Sequence, residues 1–135
     1  MKLENQVVSL ELAKRLKEMG VKQESIFGWV EILEKGSTPN PHVFYRDLEK
    51  ASDYDMVSGD VIAGEYAAFT TSELGEMFDG YCFTRRAYSS AKDENWLCRW
   101  QDVHGINEKK FYGKTEADAR AKMLIYLLEN KLITL

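Results

Sequence analysis

The sequence predicts an α+β fold, an antiparallel sheet of three to five strands with the N- and C-terminal helices packed on one face. Three observations predict it. Helical amphipathic periodicity lies toward both ends of the chain. Residues 81–103 alternate apolar and polar with period two on either side of a polar turn. Residues 26–33 concentrate β-branched and aromatic side chains. The 135 residues fit one domain, 1–135. With 44% hydrophobic and 30% charged residues, the composition excludes a disordered tail and a membrane protein.

Ser9 is placed to cap a first helix that runs to Met19, with Leu10, Ala13 and Leu16 on one face and Leu12 and Met19 widening it. Gly20 supplies the left-handed residue that ends such helices, and Val21 is placed to pack back beneath it. Residues 26–33 follow as a strand. Residues 36–41 (GSTPNP) form a turn-rich loop, and the region 42–64 has weak signal, with short strands expected at 43–45 and 61–62 and loop between them. Thr71 or Ser72 opens a short helix through Phe78, closed by Gly80. The segments 81–88 and 95–103 then form a hairpin. Folding its turn symmetrically sets Phe83 opposite Trp100 and Ala87 opposite Trp96, which gathers Tyr81, Phe83, Trp96, Cys98 and Trp100 on one face. Arg85 falls on that apolar face and does not belong there. Residues 109–112 add a strand. Thr115, with Asp118 three positions on, opens a final helix to about Leu132.

The motifs that resemble chemistry lack its spacing. Gly113-Lys114-Thr115 looks like the end of a phosphate-binding loop, yet the glycine required five residues earlier is Glu108, so a turn and helix cap is the simpler reading. Asp53, Asp55, Gly59 and Glu65 resemble a calcium loop, but its sixth-position glycine and twelfth-position glutamate fall one place late. His42 and His104 share no ligand spacing, and the expected hairpin register puts Cys82 and Cys98 on opposite faces, so no metal site is expected. A Cys–His nucleophile pair has no local signature. Glu73, Glu76 and Asp79 read as a solvated helix face rather than a carboxylate centre. Residues 13–29 resemble a degenerate helix-turn-helix around Gly20. The small residue such motifs need four places before the glycine is Leu16, and Gly28 interrupts the would-be second helix, so helix-then-strand is preferred.

Three blocks carry a family resemblance: residues 9–25 (SLELAKRLKEMGVKQES), 68–77 (AFTTSELGEM) and 117–130 (ADARAKMLIYLLEN). In this order they resemble an uncharacterised family of small proteins of tailed phages and prophages, chiefly of gut bacteria. The resemblance covers about a third of the chain, and residues 36–64 have no counterpart in it. It implies a phage or prophage origin and a cytoplasmic location in the bacterial host cell. It carries no activity, catalytic residue or cofactor with it.

Charge inside every window near the start argues against a signal peptide, no apolar run reaches the roughly 18 residues of a membrane span, and two cysteines without CxxC spacing fit a reducing compartment. Net charge is −4, which gives no overall attraction to nucleic acid, although a local basic patch is compatible with it. The leading functional expectation is a non-catalytic accessory or protein-interaction module with an unknown protein partner, and no catalytic, cofactor-binding or metal residue is assigned. A DNA-binding regulator using residues 13–29 and an enzyme with a dispersed site are the alternatives. The final helix adds one more expectation. Met123 to Leu128 are consecutively apolar, and six residues sweep the whole circumference at about 100° each. Its second side must be covered by the first helix, by the central loop, or by another copy of the chain in a homodimer, with Ile125 and Tyr126 the residues that discriminate.

Overall fold

The computed structural model describes residues 2–33, 40–46, 61–87 and 94–135. In chain order the elements are α1 (Leu10–Glu18), β1 (Phe27–Leu33), β2 (Asn40–Tyr45), β3 (Val61–Ala67), α2 (Thr71–Gly75), β4 (Tyr81–Arg86), β5 (Trp96–Gln101), β6 (Glu108–Gly113) and α3 (Glu116–Glu129). The α+β class is as expected, with helices toward both ends of the chain and three antiparallel strands per sheet. The strands are shared between two sheets, ordered β2-β1-β3 and β4-β5-β6.

Local chemistry sets the ends of the helices. Gly20 takes φ +84°, the Gly20 amide donates to Lys17 O at 3.0 Å and the Val21 amide to Leu16 O at 3.1 Å. This left-handed stop satisfies two end carbonyls and turns Val21 into the core at 4% exposure. At the other end Ser9 makes no side-chain cap; its amide instead donates to Asp118 Oδ1 at 2.7 Å. Thr115 Oγ1 accepts from the Asp118 amide at 3.1 Å and caps α3. One short stretch therefore serves the N-termini of two helices, and a capping box within α3 is replaced by a cap shared between α3 and α1. Arg15 pairs with Glu129 farther along both helices, so α1 and α3 lie side by side in the same direction.

Strand β1 is central in its sheet because β2 and β3 pair on either side of it, with a bulge between Glu31 and Ile32 on the β3 side. Its inward face carries Phe27 and Trp29, and Trp29 Nε1 donates to Val8 O at 2.7 Å. Glu31 continues that face and meets Lys14 of α1 at 2.7 Å, which accounts for a carboxylate only 9% exposed. The strands expected at 43–45 and 61–62 are present and longer, as β2 and β3. Of the expected loop at 36–41, residues 36–39 lie outside the described residues, while Asn40 and Pro41 begin β2.

Helix α3 carries the core. Ala117, Ala119, Ala121, Met123, Leu124, Ile125 and Leu127 are all buried. Strands β4, β5 and β6 cover one side of it, and α1 and α2 cover others. A Cβ on Gly113 would lie 2.5 Å from the Ala119 backbone nitrogen, so only glycine lets β6 turn so closely into this helix. A continuous buried cluster takes Ala13 and Leu16 from α1, Trp29 from β1, Leu74 from α2 and Trp100 from β5. Among the described residues no helix is long and apolar enough to cross a membrane.

The hairpin departs from expectation by one residue. Phe83 lies opposite Arg99, and Trp100 opposite Cys82. The inward face is therefore Cys82, Thr84, Trp96, Cys98 and Trp100, with Arg86 at its exposed end over the Trp96 ring, while Tyr81 and Phe83 point outward at 70% and 44% exposure. The expected register would have put Arg85 opposite Cys98, which is fully buried, where a charge costs several kcal/mol unless it is well paired. The observed register turns Arg85 outward. Three helix ends also differ: α2 starts one residue earlier, capped by Thr70, and ends at Gly75, and α3 ends at Glu129.

Two outcomes follow. Trp100→Ala should lose about 3–5 kcal/mol in a denaturant melt, the range for truncating a buried aromatic, whereas Phe83→Ala should lose under about 1 kcal/mol. The reverse ranking would restore the expected register. Ile125 is 8% exposed within the single chain, so Ile125→Asp should unfold the protein, read by thermal melting and size-exclusion chromatography. A folded monomer from a dimeric parent would show instead that this side of α3 is an interface.

Candidate functional site

Most residues with apparent chemistry turn out to hold the fold. Glu73 Oε1 accepts from the Thr70 amide and from Ser25 Oγ, both at 2.9 Å, and its Oε2 accepts from the Ile26 amide at 3.2 Å. It thus caps α2 in a capping box with Thr70 and ties the entry of β1 to that helix. Asp79 enters the architecture through its carbonyl, which accepts from Trp100 Nε1 at 2.6 Å. Gly113-Lys114-Thr115 is a strand end and a helix cap. The helix-turn-helix geometry is absent, because no helix follows Gly20 and Phe27–Leu33 is a strand paired on both sides. His42 lies in β2, and His104 lies in the β5–β6 turn, where its amide donates to Asp102 Oδ1 at 3.1 Å. Of the calcium-like residues, Asp53, Asp55 and Gly59 lie outside the described residues, and Glu65 pairs with Arg46 at 3.5 Å. Among the described residues, no group of three or more His, Cys, Asp or Glu side chains is placed to hold a metal ion.

The one-residue shift of the hairpin creates a cluster that the expected register separates. Cys82 and Cys98 share the inward face on diagonal positions of β4 and β5, and their Sγ atoms lie 3.5 Å apart. Both are free thiols, Cys98 fully buried and Cys82 half-buried. Beside them Thr84, directly opposite Cys98, bonds Glu116 of α3 and receives Arg120 Nη2 at 3.3 Å. Arg120 Nη1 also reaches Thr71 O of α2 at 3.4 Å. The two thiols do not ionise alike. The hydrogen bond from Cys98 holds the Cys82 thiol below its ordinary value, helped by the Arg120 charge and opposed by burial. Cys98, as the partner that keeps its proton, is pushed well up by that same contact and by burial. The sulfur on the more accessible side is thus the readier of the two to ionise, and the buried one beneath it the less ready.

The outward face of the same sheet has a different character. Its three rows are Tyr81–Gln101–Glu108, Phe83–Arg99–Lys110 and Arg85–Leu97–Tyr112. Three cations and one carboxylate lie among aromatic rings, on a chain of net charge −4. Glu108 is shared, 2.7 Å from Arg99 Nε and 3.9 Å from Lys110 Nζ, and the neighbouring guanidinium holds its carboxyl below the usual glutamate value. The Arg99 guanidinium also lies over the Phe83 ring at 5.9 Å.

Neither feature is apparent in the linear spacing. The one signal that bears on both is Arg85: sliding the hairpin by one residue turns it outward, sets Arg86 at the exposed end of the inward face and brings the cysteines to a single face. Comparison with known proteins gives no match to a family model, a curated protein or a solved structure.

The thiol pair generates a direct test. Cys98→Ala removes the hydrogen bond that favours the Cys82 thiolate. Alkylation of Cys82 by iodoacetamide at neutral pH should therefore slow several-fold, and its pH profile should move upward. An unchanged profile would mean that the two sulfurs do not interact.

Proposed function

We propose that the protein is a non-catalytic interaction module, and that the outward face of β4–β5–β6 receives an acidic protein segment. One observation carries this reading: the segregation of charge on that face. The chain is acidic overall, yet Arg85, Arg99 and Lys110 outnumber Glu108 there, around the exposed rings of Tyr81 and Phe83. Exposed Tyr, Phe and Arg on rigid strands are the side chains that anchor protein interfaces, because they bury large area at little entropic cost. Among the described residues no strand pairs with the outer edge of β4, the position at which an extended partner adds a strand. Net positive local charge favours a partner carrying Asp or Glu beside apolar residues, and it accelerates encounter with one.

The resemblance of residues 9–25, 68–77 and 117–130 to phage and prophage proteins supports a phage-type origin and action within the bacterial host cytoplasm. Those blocks contain α1, α2 and α3, so the resemblance concerns the helical frame, while the proposed interface belongs to the sheet outside it. A homodimer through α3 has less support, because Ile125 is buried against its own chain.

The test is fluorescence anisotropy with a labelled peptide that alternates glutamate with leucine and phenylalanine. The wild-type protein should bind it with a salt-sensitive affinity. The triple variant Tyr81→Ser, Phe83→Ser, Arg85→Glu should weaken binding by at least about tenfold, the scale of losing one or more interface anchors. A single-stranded oligonucleotide serves as the control. Binding of the oligonucleotide but not of the peptide would replace this reading with nucleic-acid recognition on the same aromatic and basic face.

A further inference from the structure

We propose that Cys82 and Cys98 form a reversible dithiol–disulfide site whose substrate is a small-molecule disulfide, with Cys82 as the attacking sulfur and Cys98 as the resolving one. The argument starts from placement. The two sulfurs lie 3.5 Å apart on one face of adjacent strands, within reach of the roughly 2.05 Å of a disulfide after a shift of about 1.5 Å. Such a shift is available at β4, an edge strand that pairs with β5 alone in its sheet, whereas β5 is held between β4 and β6. Accessibility assigns the order: Cys82 is half-buried and within reach of a small oxidant, and Cys98 is fully buried. Arg120, held by Thr84 and Thr71 O, supplies the positive charge that favours a thiolate at Cys82.

The chemistry balances without any further group. The Cys82 thiolate attacks one sulfur of the disulfide, the original S–S bond breaks, and one small thiolate leaves and takes up a proton. Cys98 Sγ then attacks Cys82 Sγ, the mixed disulfide breaks, and the second small thiol leaves with the Cys98 proton. Two protein thiols are oxidised and one small disulfide is reduced to two thiols. Closure pulls β4 across β5 beneath the outward face that carries Tyr81, Phe83 and Arg85, so oxidation state and the shape of that face are linked.

The experiment is exposure of the native full chain to oxidised glutathione, followed by intact mass and thiol titration. The expected product has lost two hydrogens and both titratable thiols, and it reverts with excess reduced glutathione. Cys98→Ser should stop at a stable glutathione adduct on Cys82, and Cys82→Ser should gain no adduct while folded. A wild-type chain that accumulates the mixed disulfide without closing, or that reacts only after unfolding in urea, would overturn the proposal. So would adduct formation on Cys98 in the folded Cys82→Ser variant. The readout is independent of peptide binding, so it can fail while the interface reading stands.

Discussion

A helical segment that is apolar on every side cannot sit on a surface, and residues 123–128 of α3 are such a segment. Burying a methylene is worth about 0.8 kcal/mol, so leaving any flank of Met123, Leu124, Ile125 and Leu127 wet would be expensive. A sheet covers only one side. The rest of the chain supplies the other sides: β4–β5–β6 beneath, α2 across one flank, α1 along another, and behind α1 the second sheet, whose Trp29 enters the same cluster. The architecture follows from the need to surround one hydrophobic rod.

Polar groups then fix how that covering is arranged. Asp118 couples the starts of α1 and α3, and Arg15 with Glu129 couples their far turns. Glu73 locks the α2 cap to the entry of β1, and Lys14 with Glu31 sets α1 over the first sheet. Apolar packing is indifferent to small slides between elements, whereas a carboxylate with two or three fixed donors is not. A net gain of about 0.5–1.5 kcal/mol for each neutral hydrogen bond is modest beside the core, so the effect of these contacts is chiefly on uniqueness of arrangement.

The parts of the fold legible in the sequence are those with local causes. Gly20 stops α1 through its own backbone, Thr115 caps α3 through its own hydroxyl, and residues 27–33 are a strand because their side chains crowd a helix. Pairing register is different. It depends on the length and conformation of a turn as well as on pattern, and β4 has plausible apolar residues on both faces, Tyr81 and Phe83 against Cys82. A one-residue error there inverts every side chain of the strand. The thiol pair and the basic aromatic face were hidden by that single degree of freedom. Glu73 was hidden for another reason: its partners Ser25 and Ile26 are 48 and 47 residues away in sequence.

The position of α3 after every other described element has a consequence for how the chain acquires its structure. The Ser9 amide waits for an acceptor 109 residues downstream, and Ala13, Leu16 and Trp29 wait for α3. During synthesis at about 5–20 residues per second, the first sheet and α1 emerge seconds before the helix they pack against. Loop-closure entropy gives little early reward for bringing distant segments together. The nascent chain therefore carries an incomplete apolar surface until α3 is released, and acquisition of the native core is an event that follows translation of α3, not one that accompanies it.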